Sequence, residues 1–240
     1  MDLFISDLHL AESRPAANEA FFAFIEGKAR SAESLYILGD LFEYWVGDDD
    51  LADPFNGVVA GFLRELSRSG VKLGVMQGNR DFLYGPAFGN ATGAALLPDP
   101  LVLELGGRRA LLMHGDTLCT RDTDYQEWRR KVHSEAFQRD FLAKPLAARR
   151  ELAADAREKS AVAKGAKAME IMDVDEETVR EALRRHGATL LIHGHTHRPG
   201  RHELEVDGRR CERWVLPDWY GAGGYLELAG AKPRLVRFQA

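Results

Sequence analysis

Histidine recurs at alternate positions in His193-Gly194-His195-Thr196-His197, directly after the apolar run Leu190-Leu191-Ile192. Alternation brings His195 and His197 toward one point at the end of a strand, and the glycine between lets the main chain pass close to whatever they hold. Alone, His-x-His is a permissive pattern that core or surface histidines also satisfy. Four other stretches change its meaning. Asp7 and His9 follow Leu3-Phe4-Ile5, Gly39-Asp40 follows Leu35-Tyr36-Ile37-Leu38, Gly78-Asn79-Arg80-Asp81 follows the run from Val71 to Met76, and His114-Gly115-Asp116 follows the run from Arg109 to Met113. Asp7, His9, Asp40, Asn79, His114, His195 and His197 thus form a mixed oxygen and nitrogen donor set. Seven donors exceed what one divalent ion takes. They suit two ions roughly 3.5 to 4 Å apart sharing a carboxylate, the arrangement that activates water for attack at phosphorus. With no thiolate in the set, the chemistry favours Mn, Fe or Zn over a structural cysteine site.

Donors so far apart in sequence need a scaffold that gathers them. Apolar strand runs alternate with helical segments, from about Asn18 to Arg30, with Phe21, Phe22, Phe24 and Ile25 on its buried side, and from about Val58 to Ser69. That alternation predicts a largely parallel sheet whose carboxyl ends converge on one edge, where ligands of open α/β sheets sit. Gly106-Gly107 joins the runs Leu101 to Leu105 and Arg109 to Met113 as a hairpin. Glu203 to Leu216 and Tyr225 to Phe238, broken at Asp207-Gly208 and Gly230-Ala231, read as hairpins of a second sheet. Trp45 and Phe82 follow the motifs and read as core more readily than as acyl-chain contacts. Asp48, Asp49 and Asp50 read as a solvated loop with one helix cap among them, and Asp116 as an acceptor that orients a ligand imidazole.

The chain has 240 residues, 45% hydrophobic and 29% charged, which suits one domain over 1–240. No run approaches the ~18 to 20 apolar residues of a spanning helix, and no basic region with an apolar stretch opens the chain, so a cytoplasmic location is expected. Cys119 and Cys211 have no metal-motif spacing and are expected to be reduced thiols. A formal charge of −5 argues against general nucleic-acid binding. The segment 121–168 differs from the rest, with 12 Lys or Arg against 8 Asp or Glu. Its apolar residues (Tyr125, Trp128, Val132, Phe137, Phe141, Leu146, Leu152) lie among Arg129, Arg130, Lys131, Arg139, Arg149, Arg150 and Arg157. Three readings fit: a helical lid over a lipid, a basic amphipathic surface for an anionic membrane, or a solvated helix pair packed on the domain.

The ordered motifs Asp7-x-His9, Gly39-Asp40, Gly78-Asn79, His114 and Gly194-His195-x-His197 resemble those of the calcineurin-like metallophosphoesterases. The resemblance implies an α/β fold of four layers, two packed sheets flanked by helices, with 121–168 as a helical lid insertion. It implies one metal on Asp7, His9, Asp40 and His197, a second on Asp40, Asn79, His114 and His195, and Asp40 as the bridge. His193 matches no ligand position. The likeness extends to Gly39-Asp40-Leu41-Phe42-Glu43-x-Trp45, Gly47-Asp48-Asp49-Asp50, Gly78-Asn79-Arg80-Asp81-Phe82-Leu83, His114-Gly115-Asp116-Thr117-Leu118-Cys119, Ile171-Met172-Asp173-Val174 and His193-Gly194-His195-Thr196-His197-Arg198-Pro199. In these it is similar to the UDP-2,3-diacylglucosamine diphosphatase branch, which serves lipid A biosynthesis.

That branch implies hydrolysis of UDP-2,3-diacylglucosamine to UMP and 2,3-diacylglucosamine 1-phosphate, with two divalent ions, manganese favoured, and a metal-bound hydroxide attacking the phosphorus nearer uridine. Asp40, Asn79, Arg80 and His195 take the catalytic positions, and Asn79, Arg80, Asp122, Ser160, Lys164, Lys167 and His195 the substrate contacts. At Lys164 related sequences often carry Asn, and a lysine there can pair with phosphate but lacks the amide's hydrogen bonding. The resemblance further implies a protein that works peripherally on the cytoplasmic face of the inner membrane, with an anionic lipid surface and a nucleotide-activated glycolipid as partners. No obligate protein partner and no nucleic acid are implied.

Arg80 is where the chain departs from many phosphatases of the superfamily, which carry His after Gly-Asn. An alkoxide leaving group benefits from a proton donor, whereas a phosphate, with a second pKa near ~6, departs without one. The substitution favours cleavage of a diphosphate, and the guanidinium offers a fork of donors to a phosphate oxygen. The bland alternative for Arg80 is a surface ion pair with Asp81. Two rivals stand beside the diphosphatase: a phosphomonoesterase or protein phosphatase on the same scaffold, and a metal-free interaction scaffold that kept the fold.

Overall fold

Leu3 and Ile5 point one way and Phe4 the other, and each is fully buried, so the first strand needs a covered face on both sides. The computed structural model, which describes residues 1–166, 171–221 and 223–238 (backbone alone for 161–166), supplies both. Strand β1 (Asp2–Ile5) pairs in parallel with β2 (Ser34–Leu38), β2 with β3 (Lys72–Met76) and β3 with β4 (Ala95–Leu97). On the other side of β1, β10 (Gly224–Ala229) and β11 (Lys232–Arg237) complete a six-stranded sheet as antiparallel neighbours. The second sheet has the order β5-β6-β7-β9-β8, from β5 (Leu101–Leu105), β6 (Arg108–Met113), β7 (Leu190–His193), β8 (Gly200–Val206) and β9 (Arg209–Val215).

The two sheets face each other across a core of Phe4, Leu38 and Met76 from one side and Leu112, Ile192 and Trp214 from the other. Outside the first sheet, α1 (Pro15–Glu26), α2 (Pro54–Arg68) and α3 (Pro86–Thr92) bury Phe21, Ile25, Leu63 and Phe88 against Leu3, Ile5 and Ile37. Outside the second, α7 (Glu176–His186) lays Val179 and Leu183 on Leu111 and Leu191. The result is four layers. Asp53 begins α2 by accepting from the N–H groups of Phe55 and Asn56, with Pro54 in the first turn.

Between β6 and α7 the chain leaves the layers as α4 (Thr123–Val132), α5 (Glu135–Leu142) and α6 (Leu146–Ala166). Asp122 and Ser134 cap the first two of these helices. Several of their basic residues are committed inward. Arg149, only 3% exposed, pairs with Asp49 and donates to the Val46 carbonyl, while Arg150 pairs with the buried Asp50. Among the described residues no helix is long and apolar enough to cross a membrane.

Several sequence expectations change here. Both sheets are mixed instead of largely parallel, and the β10–β11 hairpin belongs to the first sheet, not the second. Leu226 and Leu228 explain that placement, since they enter the same inter-sheet core as Phe4 from the otherwise open edge of β1. The first helix stops at Glu26, before Gly27 and a separate 3-10 turn over Lys28–Ser31. The sequence reading assigns nothing to α3, β4 and α7, although Pro86 and Gly93 mark the ends of α3, and Asp175 and Gly187 those of α7. In the Asp48 to Asp50 run the expected helix cap is Asp48, which accepts from the N–H groups of Gly85, Ala87 and Phe88 at the start of α3, whereas the other two hold the insert instead of lying in a solvated loop.

Candidate active site

The turns after β1, β2, β3, β6 and β7 open at one edge, and their backbone is unusual. Asp7, His9, Asp40, His195 and His197 all have φ between 51° and 67°, the left-handed region that side chains with a Cβ rarely adopt. Each such residue costs of order 1–3 kcal/mol, so the surrounding structure must over-determine it. The restraints are main-chain bonds between turns: Asp7 N–H to Gly39 carbonyl (3.2 Å), His9 N–H to Asp40 carbonyl (3.0 Å) and Leu10 N–H to Leu41 carbonyl (2.9 Å). Close approach explains two glycines. A Cβ on Gly78 would enter the Asp40 carboxylate, and one on Gly194 the Asp7 carboxylate.

Asp81 sits beneath these turns, fully buried. Its Oδ1 accepts from the N–H groups of Asp40 (3.1 Å) and Gly78 (2.8 Å), and its Oδ2 from those of Leu41 (2.7 Å) and Phe42 (3.2 Å) and from the Tyr84 hydroxyl (2.5 Å). The expectation of a surface pair between Arg80 and Asp81 is therefore wrong, because the carboxylate is already enclosed by the turns it joins. Arg80 instead places Nη1 3.9 Å from Glu43 Oε1, donates its backbone N–H to Asp40 Oδ1 (2.8 Å) and buries an Nε with no hydrogen-bond partner among the described residues.

All seven candidate donors meet. His197 Nε2 lies 3.4 Å from Asp7 Oδ1, His9 Nε2 3.7 Å from Asp40 Oδ2, and His114 Nε2 3.8 Å from Asp40 Oδ1. Asn79 Oδ1 lies 3.1 Å from His114 Nε2 and 2.8 Å from His195 Nδ1, while the His195 N–H donates to Asp7 Oδ2 (2.9 Å). Two groups could each hold a metal ion, Asp7 with His9 and His197, and Asp7 with Asp40 and His114. Asp7 is common to both, whereas Asp40 directs one oxygen toward His9 and the other toward His114. Asp7 Oδ1 and both ring nitrogens of His9 are buried without a hydrogen-bond partner among the described residues. A hard or borderline cation satisfies oxygen and imidazole donors of this kind, so the residues fit a divalent metal.

Charge is concentrated in this dry edge. Burial pushes the Asp40 carboxyl up to about 7, with Asp81 and Asp7 adding to the rise and His114 opposing it. Burial would lower His114, but Asp40, Asp116 and Asp7 outweigh it and raise the imidazole to about 9. Burial acts against ionisation of Asp7 too, yet the His197 imidazole beside its Oδ1, with the charges of His114 and His9, holds it far below the usual carboxylate range. His193, fully buried, is pushed down to about 3 by burial and then by Arg213, and its Nδ1 lies 2.8 Å from the Gly194 carbonyl, so it stays a neutral structural group.

Asp116 is not the group that orients His114. The ring's Nδ1 partner is the Leu38 carbonyl (2.9 Å), and Asp116 instead accepts from the Tyr125 hydroxyl (2.7 Å) and Arg129 Nε (2.6 Å), joining α4 to the site. Tyr125 brings its ring 5.7 Å from that of His195. Asp122 is buried and caps α4, Ser160 is half-buried on α6, the Lys164 side chain is not described, and Lys167 lies outside the described residues. Trp45 is core, 2% exposed, and Phe82 is half-buried against His133 at 4.8 Å. Glu43 and Tyr220 carry no role in the sequence reading. Glu43 Oε2 lies 3.7 Å from His9 Nδ1 and its other oxygen pairs with Arg157, a role its place three residues after Asp40 could have signalled. The Tyr220 ring lies 5.0 Å from His9 and 5.4 Å from His197, with Arg14 stacked on it, and no sequence pattern marks it.

The calcineurin-like phosphoesterase family matches residues 3–199. The UDP-2,3-diacylglucosamine hydrolase of Aromatoleum aromaticum is 51% identical over 239 residues, which cover 99% of this chain and 97% of that protein. The proteins of the same name from Cellvibrio japonicus and an Enterobacter species are 49% and 47% identical, covering 95% and 98% of this chain and 94% and 98% of their own. With likeness of that extent over a sheet edge built from oxygen and imidazole donors, this chain belongs to the calcineurin-like phosphoesterase family, among the UDP-2,3-diacylglucosamine hydrolases.

Proposed function

We propose that this protein hydrolyses UDP-2,3-diacylglucosamine to UMP and 2,3-diacylglucosamine 1-phosphate. The observation that carries the reading is the gathering of Asp7, His9, Asp40, Asn79, His114, His195 and His197 at one buried edge with Arg80 beside them. Asp7, His9, Asp40 and His197 would hold one divalent ion, and Asp40, Asn79, His114 and His195 a second, with manganese the favoured metal. When bound, such ions acidify water and neutralise phosphate charge.

This chain's own residues do the rest. Arg80 binds a phosphate oxygen through its fork and offsets charge that grows as the anhydride opens. Asn79 and His195 orient the same group. One water oxygen bonds to the phosphorus nearer uridine and releases its proton to solvent, the anhydride P–O bond breaks, and the sugar phosphate leaves carrying the electron pair. No proton donor is needed for that leaving group, which suits Arg80 at a position where a histidine would serve an alkoxide. Asp122, Ser160, Lys164 and Lys167 hold the glucosamine half, under a cover formed by 121–168 within a single domain. Trp128, Leu142 and Leu152, 43–47% exposed on α4 to α6, suit contact with acyl chains or a cytoplasmic membrane surface.

Hydrolysis with manganese in water enriched in heavy oxygen tests this reading. Label is expected in UMP. Label confined to the lipid phosphate overturns the assigned phosphorus, and efficient turnover of p-nitrophenyl phosphate with the nucleotide glycolipid left intact overturns the substrate.

A further inference from the structure

A groove of about 440 Å³ opens beside the His9 end of the site, lined by Ala11, Glu12, Ser13, Glu43, Tyr44 and Arg157. We infer that it is a nucleoside subsite that takes the uridine half of the substrate, an inference that rests on the function proposed above.

Position argues first. Glu43 lines the groove and also reaches the reaction edge, with Oε2 3.7 Å from His9 Nδ1 and Oε1 3.9 Å from Arg80 Nη1. The groove is therefore continuous with the phosphate trough on its His9 side. The opposite side is closed by α4, where Tyr125 faces His195 and Asp122 begins the helix. A substrate with two arms on one anhydride must send them in different directions, and Asp122 sets a glucosamine contact on the α4 side.

Chemistry argues second. Two carboxylates in the groove, Glu12 and Glu43, repel phosphate, and an acyl chain laid over them would strip their water. They do suit a neutral nucleoside. Carboxylates accept from ribose hydroxyls, as they do in dinucleotide sites, and from the imide N–H of uracil. Tyr44, half-buried, offers a ring face to a base, for which stacking on aromatic side chains is a general mode of binding. Arg157, whose side chain is 53% exposed, stands between Glu43 and solvent where a guanidinium can pair with a base carbonyl or the first phosphate.

Preorganisation argues third. The floor is a short parallel ladder in which the Leu10 N–H donates to the Leu41 carbonyl (2.9 Å) and the Glu43 N–H to the Leu10 carbonyl (3.0 Å). The Ala11 carbonyl accepts from Arg14 N–H (2.9 Å) and Asn18 Nδ2 (2.8 Å), which pins the rim. Only Arg157 comes from the insert, so the subsite is complete when α6 is docked.

The test compares the two products as inhibitors. Tyr44→Ala should weaken inhibition by UMP about 10-fold, the usual scale for loss of one base stack, and change inhibition by 2,3-diacylglucosamine 1-phosphate less than about 2-fold. Tyr44→Phe should restore UMP inhibition, because the ring face remains. Glu12→Lys, at an exposed position, should weaken UMP inhibition without disturbing the fold, which covers the case of an unfolded Tyr44→Ala. Unchanged UMP inhibition in folded Tyr44→Ala and Glu12→Lys, or weakened inhibition by the lipid product instead, overturns the subsite. Saturation-transfer NMR with uridine and the magnesium-loaded protein separates this inference from the proposed reaction. Transfer to uracil and ribose protons that Tyr44→Ala abolishes upholds the subsite even if wild type fails to cleave the nucleotide glycolipid. Absence of transfer in wild type overturns it even if cleavage is normal.

Discussion

The donor-bearing edge and the α4 to α6 insert are attached to the same fold by opposite means. At the edge, main-chain hydrogen bonds and one buried carboxylate lock the left-handed Asp7, His9 and Asp40, and Asp40 and Asp81 are 2% and 0% exposed. The insert is held by side chains at its rim: Arg149 with Asp49, Arg150 with Asp50, Arg157 with Glu43 and Arg129 with Asp116. Chemistry that tolerates displacement of no more than about 0.5 Å needs the first kind of support. A cover that, on the proposed function, admits a two-chained lipid is better served by the second. The difference teaches that stability and turnover should separate by region.

Asp40→Ala should test the edge most severely. With one oxygen turned to His9 and the other to His114, its loss removes a group from both halves of the donor set, and turnover should fall at least about 10³-fold. Substantial residual activity would break the contrast at its strongest point. Asp81→Ala should come next, and should act on the fold as well. It strips the acceptor from four buried N–H groups and the Tyr84 hydroxyl, so urea denaturation should show a loss of roughly 3–5 kcal/mol. A loss below ~1 kcal/mol would mean that the turns hold themselves.

Much of this edge is legible in the sequence because each donor stands at the end of an apolar run, and a sheet gathers such ends without long-range information. Asp81 is illegible for a physical reason: its partners are backbone N–H groups from two turns, and no side-chain pattern advertises them. The pairing of Asp49 with Arg149 and Asp50 with Arg150 spans 100 positions and needs the docked insert to be seen. Strand alternation marks β10 and β11 but says nothing of which sheet they join, since either core accepts leucine. The helix α7 hides behind its charge, with Val179 and Leu183 as its only buried residues.

Arg149→Met probes the insert. The guanidinium is buried and bonded to Asp49 and the Val46 carbonyl, so the variant should loosen α6 by roughly 2–3 kcal/mol. Hydrogen exchange should rise in α5 and α6 and stay unchanged in β1, β2 and β7. Activity on the nucleotide glycolipid should fall through KM more than kcat, and equal exchange increases in the sheets would erase the regional distinction.

The smallest effect concerns an uncharged joint between the regions. His133 ends α4 and lies against Phe82, which follows the Asn79 turn, at 4.8 Å between ring centroids. Burial, then the charges of Arg129 and His114, outweigh Asp116 and push its pKa down to about 4. Above pH 6.5 the ring is neutral in both folded and unfolded chains. As pH falls from 6.5 toward 4, the unfolded chain takes a proton that the folded one refuses, so stability present above 6.5 is lost across that window. His133→Gln cannot take that proton. Its unfolding free energy should therefore fall less than wild type between pH 7.5 and 5.0, by about 1 kcal/mol after allowance for solvent screening. Because the other buried histidines are common to both proteins, their protonation cancels in the comparison. An identical pH dependence in the two would show that the α4 joint opens before His133 meets the proton, placing the joint with the rim of ion pairs instead of with the edge.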